Sequence, residues 1–354
     1  MRKRGPPAGP SGKPTGSASA VRAGPLVALP SLLSGFGVEP APLMSRAGLD
    51  SGSLGNPENW IPADQLGVLI DACVEATNCD HFGLLVGAPF TLGSMGALGY
   101  LMRHSATLVD ALRALVVHME LQDRAAVTLM LDPSGSQIAL GYTLIDPGIA
   151  GRYAILDGAL AMVYRLVAEL CGPTWRPLSV KLARPRPRFI SEYERVFGCR
   201  PEFNAKVSAV VFESRWLRHP IEGADPALHA ILSRTVELIE ASEPLRFDER
   251  VRRAVRAMIL TSVVSSAGVA ALFGLNERTL RRRLEVEGTS VRRLVDDERR
   301  HLALDLLANT TLRISEISSV LHYSDPVSFA RAFRNSAGMS PRQWRRRFGQ
   351  ASRV

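Results

Sequence analysis

Three arginines, Arg278, Arg281 and Arg282, fall at i, i+3 and i+4 of a stretch that also carries Leu280 and Leu284. On a helix such spacings share a face, so the guanidinium groups line one side and the leucines the other. An arginine can grip O6 and N7 of a guanine with two parallel hydrogen bonds, which few other side chains do. A helix with an apolar back and an arginine front is shaped for the major groove of DNA. The chemistry implied is recognition rather than bond making. Arg278, Arg281 and Arg282 are the candidates for base edges, and the alternative for each is a phosphate contact, which positions without specifying. Thr279 is placed to bond phosphate or to cap the helix. Arg283 turns toward the core side, as a phosphate contact or a surface charge.

The elements that must position these residues are legible on either side. Ser265 or Ser266 caps a short helix whose Val269, Ala270 and Leu272/Phe273 face inward. Gly274 breaks it, because glycine takes the left-handed conformation that a tight helix–helix turn needs. Asn276 then caps the arginine-bearing helix. Farther on the plan repeats. Ile314, Ile317 and Val320/Leu321 form an apolar face, His322 to Asp325 turn the chain, and Pro326 stands where a helix can start. Phe329 and Phe333 follow at i, i+4, with Arg331 and Arg334 facing elsewhere. At the positions corresponding to the arginine stripe stand Pro326, Val327, Ala330 and Arg331, with Ser328 beside them. Three of those four lack a side-chain donor. The second helix is therefore expected to read thymine methyls through apolar contact, or to read little, while Arg331 and Arg334 hold phosphate. Ser340-Pro341 starts a last helix that carries Trp344 inward.

With these residues in place, the last hundred or so positions resemble the two-motif DNA-binding domain of the AraC/XylS family of bacterial transcription regulators. The resemblance is carried by Ala270, Gly274-Leu275, Arg278-Thr279-Leu280, Arg282, Leu284 and Gly288 in the first half. In the second it is carried by Ile314, Ile317, Leu321, Tyr323, Ser328-Phe329, Arg331-Ala332-Phe333, Gly338, Ser340-Pro341 and Arg345. Two positions depart from the family pattern. His322 stands where glycine is usual, and histidine tolerates positive φ, so modest strain is expected rather than a lost turn. Ser318 replaces the usual alanine, a small polar intrusion into the same helix. Helices Glu277–Glu287 and Pro326–Ser336, joined by a rigid linker from Val291 to Leu307, should enter successive major-groove faces roughly 34 Å apart.

Charge sharpens this reading. Residues 251–354 carry 19 Arg and no Lys against 9 Asp and Glu, a net of +10, whereas residues 25–250 carry a net of −6. One part of the chain attracts polyanions and the other does not. At 354 residues with 46% hydrophobic content, two domains with sizeable cores are expected. Cys73, Cys79, Cys171 and Cys199 form no C-x-x-C pair, which disfavours a disulfide framework and a zinc ribbon. No stretch approaches the roughly 18 apolar residues of a membrane span. Arg2-Lys3-Arg4 is followed by Gly-Pro-Pro-Ala-Gly-Pro rather than an apolar core, so no secretory signal is read there and a cytoplasmic protein is expected. Gly93, Gly96 and Gly99 lack the partners of a phosphate loop and read as turns. His104, His118, His219 and His229 share no ligand spacing, so neither metal nor cofactor is expected.

Five segments follow from composition and pattern. Residues 1–24 form a basic Pro/Gly/Ser-rich tail expected to be disordered, either an arm that adds loose charge attraction or a stretch without a role. Residues 25–234 form a first domain, 235–250 a linker, 251–348 the DNA-binding domain and 349–354 a short tail; the family resemblance implies that the first of these, 25–234, is an effector-sensing and dimerisation domain. Within the first domain, helices are expected at Leu29–Phe36, Pro62–Glu75, from Thr107 through Leu115, at Gly158–Leu170 and at Ser191–Phe197. Val127–Leu131 and Gln137–Thr143 read as a hairpin about Asp132-Pro133-Ser134-Gly135; Trp175–Leu182 and Val207–Glu213 read as strands. The order of these elements, with Phe82-Gly83-Leu84, Trp175-Arg176-Pro177 and Phe197-Gly198-Cys199, is similar to the ligand-sensing amino-terminal domain of one branch of the family. That resemblance implies a small effector and a homodimer; which residues bind the effector does not follow from it. Trp60, Tyr100, Tyr142, Tyr153, Tyr164 and Trp175 are aromatic candidates for pocket or core, none assigned.

The sequence thus reads as an α+β sensor domain followed by an all-α DNA-binding domain with two helix-turn-helix motifs. The expected function is a sequence-specific transcription activator that binds double-stranded promoter DNA, responds to a small molecule and works with RNA polymerase. Two other classes remain beside it: a sequence-neutral architectural DNA binder, and a cysteine-dependent DNA-repair enzyme carrying the same DNA-binding domain. The unclustered cysteines weigh against the enzyme.

Overall fold

The computed structural model describes residues 19–131, 136–144, 148–205, 207–242, 246–259, 264–309 and 312–348. The hairpin turn expected at 132–135, the tail at 349–354 and most of the amino-terminal tail lie outside them.

The chain begins with a short strand, β1 (Ala20–Arg22), paired antiparallel with β2 (Trp60–Pro62). Between them lie α1 (Leu29–Gly35) and α2 (Pro40–Arg46), and after them α3 (Ala63–Thr77) and α4 (Phe82–Gly87). Within the tail expected to run to residue 24, Ala20–Arg22 form this strand. The reason is local anchoring: Arg22 donates from Nε to the Leu121 carbonyl, and its guanidinium lies over the Trp60 ring 4.5 Å from the centroid. Helices α5 (Gly96–Arg103) and α6 (Leu108–His118) precede the hairpin of β3 (Ala126–Leu131) and β4 (Gln137–Leu144). The long helix α7 (Arg152–Cys171) follows, then β5 (Ser179–Leu182), α8 (Ser191–Phe197), β6 (Glu202–Phe203) and β7 (Ser208–Glu213). The larger sheet runs in the order β3-β4-β7-β5-β6, antiparallel except for β5 with β6. Of the strand expected at Trp175–Leu182 only the last four residues pair. Trp175 instead fills the core, its ring 5.4 Å from Tyr164 and 5.9 Å from Phe212.

Helix α7 is apolar because it lies across this sheet, burying Leu160, Val163, Leu166, Val167 and Leu170 in the core that also holds Leu140, Val210 and Phe212. Its other flank meets α4 so closely that only glycine fits. A Cβ on Gly83 would sit 1.8 Å from the Ala154 carbonyl oxygen, and one on Gly158 would sit 2.7 Å from that of Gly83. Beside this crossing Asp157, fully buried, accepts from the Tyr193 hydroxyl at 2.6 Å and from Arg184, which ties α7 to α8. Burial pushes its carboxyl up to about 6 against the pull of Arg184.

Helix α9 (Pro226–Ser242) passes straight through the expected domain boundary at 234/235, and α10 (Phe247–Ile259) begins inside the expected linker. The six remaining helices, α11 (Ser266–Leu272), α12 (Glu277–Val286), α13 (Val291–Asn309), α14 (Ile314–Val320), α15 (Pro326–Ala337) and α16 (Pro341–Phe348), share one core with α10. An α+β domain followed by an all-helical one is the architecture expected.

Candidate nucleic-acid interface

Local chemistry fixes the first motif. Ser265 Oγ accepts the Gly268 N–H at 3.0 Å to cap α11, and Gly274, at φ +62°, turns the chain. Asn276 Oδ1 then accepts the Thr279 N–H at 2.9 Å to cap α12. Leu280 and Leu284 of α12 are buried, while Arg278, Arg281 and Arg282 are exposed together on the far side. Among the described residues these three guanidinium groups have no hydrogen-bond or ion-pair partner inside the protein. Thr279 is half-buried, its N–H occupied by the cap. Arg283 does not turn inward; it is exposed and lies over the Phe247 ring at 5.4 Å, because α10 passes on that side.

The second motif repeats the arrangement with different surface chemistry. Arg313 donates its backbone N–H to Glu316 at 2.7 Å at the start of α14, and Leu321 and Ile317 go into the core. His322 takes φ +54°, the conformation expected of it in place of glycine. Asp325 caps α15, accepting from the backbone N–H of Val327 and of Ser328 at 2.8 Å each and from the Ser328 hydroxyl at 2.6 Å. These Ser328 contacts, with a further one from Ser324, hold the Asp325 carboxyl down at about 2. The Ser328 side chain, a DNA-contact candidate, is thus engaged in the cap. Phe329 and Phe333 are buried and stack on through to Trp344, with ring centroids 5.9 and 6.4 Å apart. Val327, 67% exposed, Arg331 and Arg334 stay on the surface, with Ala330 half-buried. Ser340 and Gln343 cap α16 reciprocally. Buried Ser318 Oγ has no hydrogen-bond partner among the described residues.

Between the motifs α13 is a rigid bar. Glu298 on it is buried and bonds Arg252 at 3.1 Å and Arg256 at 3.2 Å, both on α10. Burial alone would raise this carboxyl, but His301 and the two arginines bring it below the usual carboxylate range. The arginines of α10 are therefore spent on structure, while Arg278, Arg281 and Arg282 of α12 are not.

Residues 37–221 match the family described as the arabinose-binding domain of AraC transcription regulator, N-terminal, and residues 269–347 match a helix-turn-helix domain. The first match alone spans more than half of the chain. This chain belongs to the AraC family of transcription regulators. The HTH-type transcriptional regulator VirS of Mycobacterium tuberculosis is 26% identical over 336 residues, which cover 95% of the AraC-family chain described here and 99% of VirS. The ornithine utilization regulator of Pseudomonas aeruginosa is 29% identical over 267 residues, 74% of this chain and 78% of that protein. Among solved structures, the transcriptional regulator CdpR from Pseudomonas aeruginosa covers 75% of this chain and 86% of its own at 24% identity. Its TM-score of 0.40 is too loose a superposition to bear on the fold. This AraC-family member is a DNA-binding transcription regulator, and its domains and relatives are those of regulators rather than enzymes. No helix among its described residues is long and apolar enough to cross a membrane.

Two further arginines hold the joint between the two domains. Arg253 on α10 donates to the backbone carbonyls of Asp123 at 3.2 Å and Arg124 at 2.8 Å. Arg250 pairs with Glu120 at 3.2 Å and Glu240 at 3.5 Å. Neither arginine has a spacing signal, because each partner on the 119–125 loop lies more than a hundred residues away.

Proposed function

We propose that this regulator recognises its operator mainly through α12, with Arg278, Arg281 and Arg282 reading base edges and Thr279 touching phosphate. The observation that supports this is the unpartnered, exposed guanidinium stripe of α12. A cation with no partner in the protein is free to be desolvated against a guanine or a phosphate without breaking anything. Helix α15 contributes apolar contact through Val327 and Ala330, with Arg331 and Arg334 gripping phosphate and Ser328 supporting the helix start. The protein acts as a cytoplasmic homodimer on double-stranded promoter DNA, and its amino-terminal domain responds to a small effector so that transcription by RNA polymerase is activated. The segments 25–234 and 251–348 serve as sensing and reading units.

Selection of random duplex DNA by the purified protein, beside an Arg282→Ala variant at near-physiological salt, tests the reading. A motif that the variant relaxes at one or two positions, at a cost of about 1–3 kcal/mol there, supports base readout. Uniform weakening on all sequences assigns Arg282 to phosphate. A wild type that selects no motif removes sequence-specific regulation.

A further inference from the structure

A cavity of about 110 Å³ lies inside the amino-terminal domain, walled by Leu26, Ile70, Phe90, Met162 and Leu166 among other apolar side chains. Apolar voids of this order take up benzene-sized molecules. Among the described residues its polar lining is Gln122, Asp123, Thr128 and Tyr142, with no Lys, Arg or His. Two of these side chains have already spent a donor. The Gln122 amide donates to the Met95 carbonyl at 2.9 Å, and the Tyr142 hydroxyl donates to the Asp123 carboxylate. Gln122 keeps its second N–H and its carbonyl oxygen, and Thr128, Tyr142 and Asp123 keep acceptor lone pairs, so a donor on a guest meets several acceptors. An anionic guest would meet the buried Asp123 carboxyl and, among the described lining residues, no cation, which disfavours it.

The same wall faces the DNA-binding domain. Met119 and Thr128 line this cavity on one side and, on the other, a crevice formed with Arg250, Arg253, Leu272 and Phe273. Thr128 stands opposite Tyr142 in the β3–β4 register. The loop from Met119 to Ala125 presents Gln122 and Asp123 to the cavity while its backbone is held from outside by Arg253. Helix α10, which carries Arg253, is tied at its other end to the first motif. Glu287, just past α12, accepts the N–H groups of Phe247 at 3.1 Å and Asp248 at 2.5 Å, and Arg283 of α12 lies over Phe247.

We propose that this cavity is the effector site, that it takes a neutral, largely apolar molecule of benzene size or slightly larger with a hydrogen-bond donor, and that occupancy reaches α12 through the 119–125 loop, Arg253 and α10; this deepens, and rests on, the effector-responsive reading of the amino-terminal domain. A guest that displaces Met119 or Thr128 shifts the surface on which α10 sits, because close-packed walls transmit displacement rather than absorb it.

The test uses the full chain, its selected operator and three probes: phenol, indole and benzoate. Phenol or indole is expected to raise the melting temperature and benzoate to leave it unchanged. The neutral probe that binds should change operator affinity at least about fivefold, the lower end of ordinary allosteric coupling. Ala159→Leu, which fills the cavity from α7, should abolish the thermal shift, with Ala159→Val as the milder replacement should the leucine not fold. Arg253→Ala should keep the thermal shift and lose the change in operator affinity. Stabilisation by none of the neutral probes, or equally by benzoate, overturns the site, and an Arg253→Ala protein that responds like wild type overturns the route. A protein that selects an operator but takes up no neutral probe keeps the regulator reading and loses this one. A protein that takes up a probe but selects no DNA does the reverse.

Discussion

Two single residues of the second motif show how small groups set its rigidity. Ser318 is 1% exposed and its hydroxyl has no partner among the described residues. Burying a hydroxyl without a hydrogen bond costs energy that the methyl of alanine does not, so Ser318→Ala should stabilise the domain by about 1 kcal/mol in urea unfolding. An unchanged or lowered midpoint would mean that the hydroxyl is satisfied. Asp325 works in the opposite sense. Its folded-state value of about 2 lies below the ordinary carboxylate range, so its stabilisation is present above roughly pH 4 and lost as pH falls toward 2. Asp325→Ala should lower the melting temperature at pH 7, and its gap from wild type should narrow between pH 5 and pH 3. A gap independent of pH would assign the loss to something other than the charged cap.

At the scale of elements, the α4–α7 crossing brings backbone against backbone in the amino-terminal domain and holds one wall of the cavity, since Gly83 and Gly158 both line it. A methyl group at Gly83 would collide with backbone, which cannot rotate away as a side chain can. Gly83→Ala should therefore destabilise the protein by about 1–3 kcal/mol, the range for an overpacked core. A variant as stable as wild type in thermal unfolding would show that the helices can separate freely. The two DNA-facing helices differ in another way. Helix α12 puts three unpaired arginines on its surface, and α15 puts out Val327 with two arginines along its length. The proposed reading accordingly concentrates base readout in α12 and groove filling in α15.

For the whole molecule, the division of charge decides where a polyanion lands. The net +10 of residues 251–354 draws DNA to the helical domain, and the net −6 of residues 25–250 repels it from the amino-terminal domain. Operator affinity should fall steeply with salt, by about 0.9 in the log–log slope for each phosphate neutralised. Arg334→Ala should weaken binding to all sequences alike and lessen that slope by about one unit. Loss of discrimination at a single base position, with the slope intact, would make Arg334 a reader instead. The orientation of the charged domain depends on α10, whose Arg250 and Arg253 reach back to Glu120, Asp123 and Arg124.

The amino-acid sequence by itself determined the DNA-binding half. Ser265, Gly274, Asn276, Pro326 and Ser340 act through their own backbone and the next three residues, so caps and turns are written locally. The i, i+3, i+4 spacing placed Arg278, Arg281 and Arg282 on one face with equal directness. The α+β character of the first half was legible from alternation and helical periodicity, as were β3, β4, α8 and β7 to within a residue; α7 was legible from Gly158 on, but it begins at Arg152. Only the tertiary structure decided the rest. That Ala20–Arg22 is a strand depends on Trp60 and Leu121, and that Trp175 is core rather than strand depends on Tyr164 and Phe212. That Tyr142 alone of the six aromatic candidates lines the cavity follows from the β3–β4 register meeting α7. The link from Arg253 to the loop at 119–125 spans about 130 residues. Periodicity records which face of an element is apolar, not which distant element will cover it, and the cavity and the joint both arise from that covering.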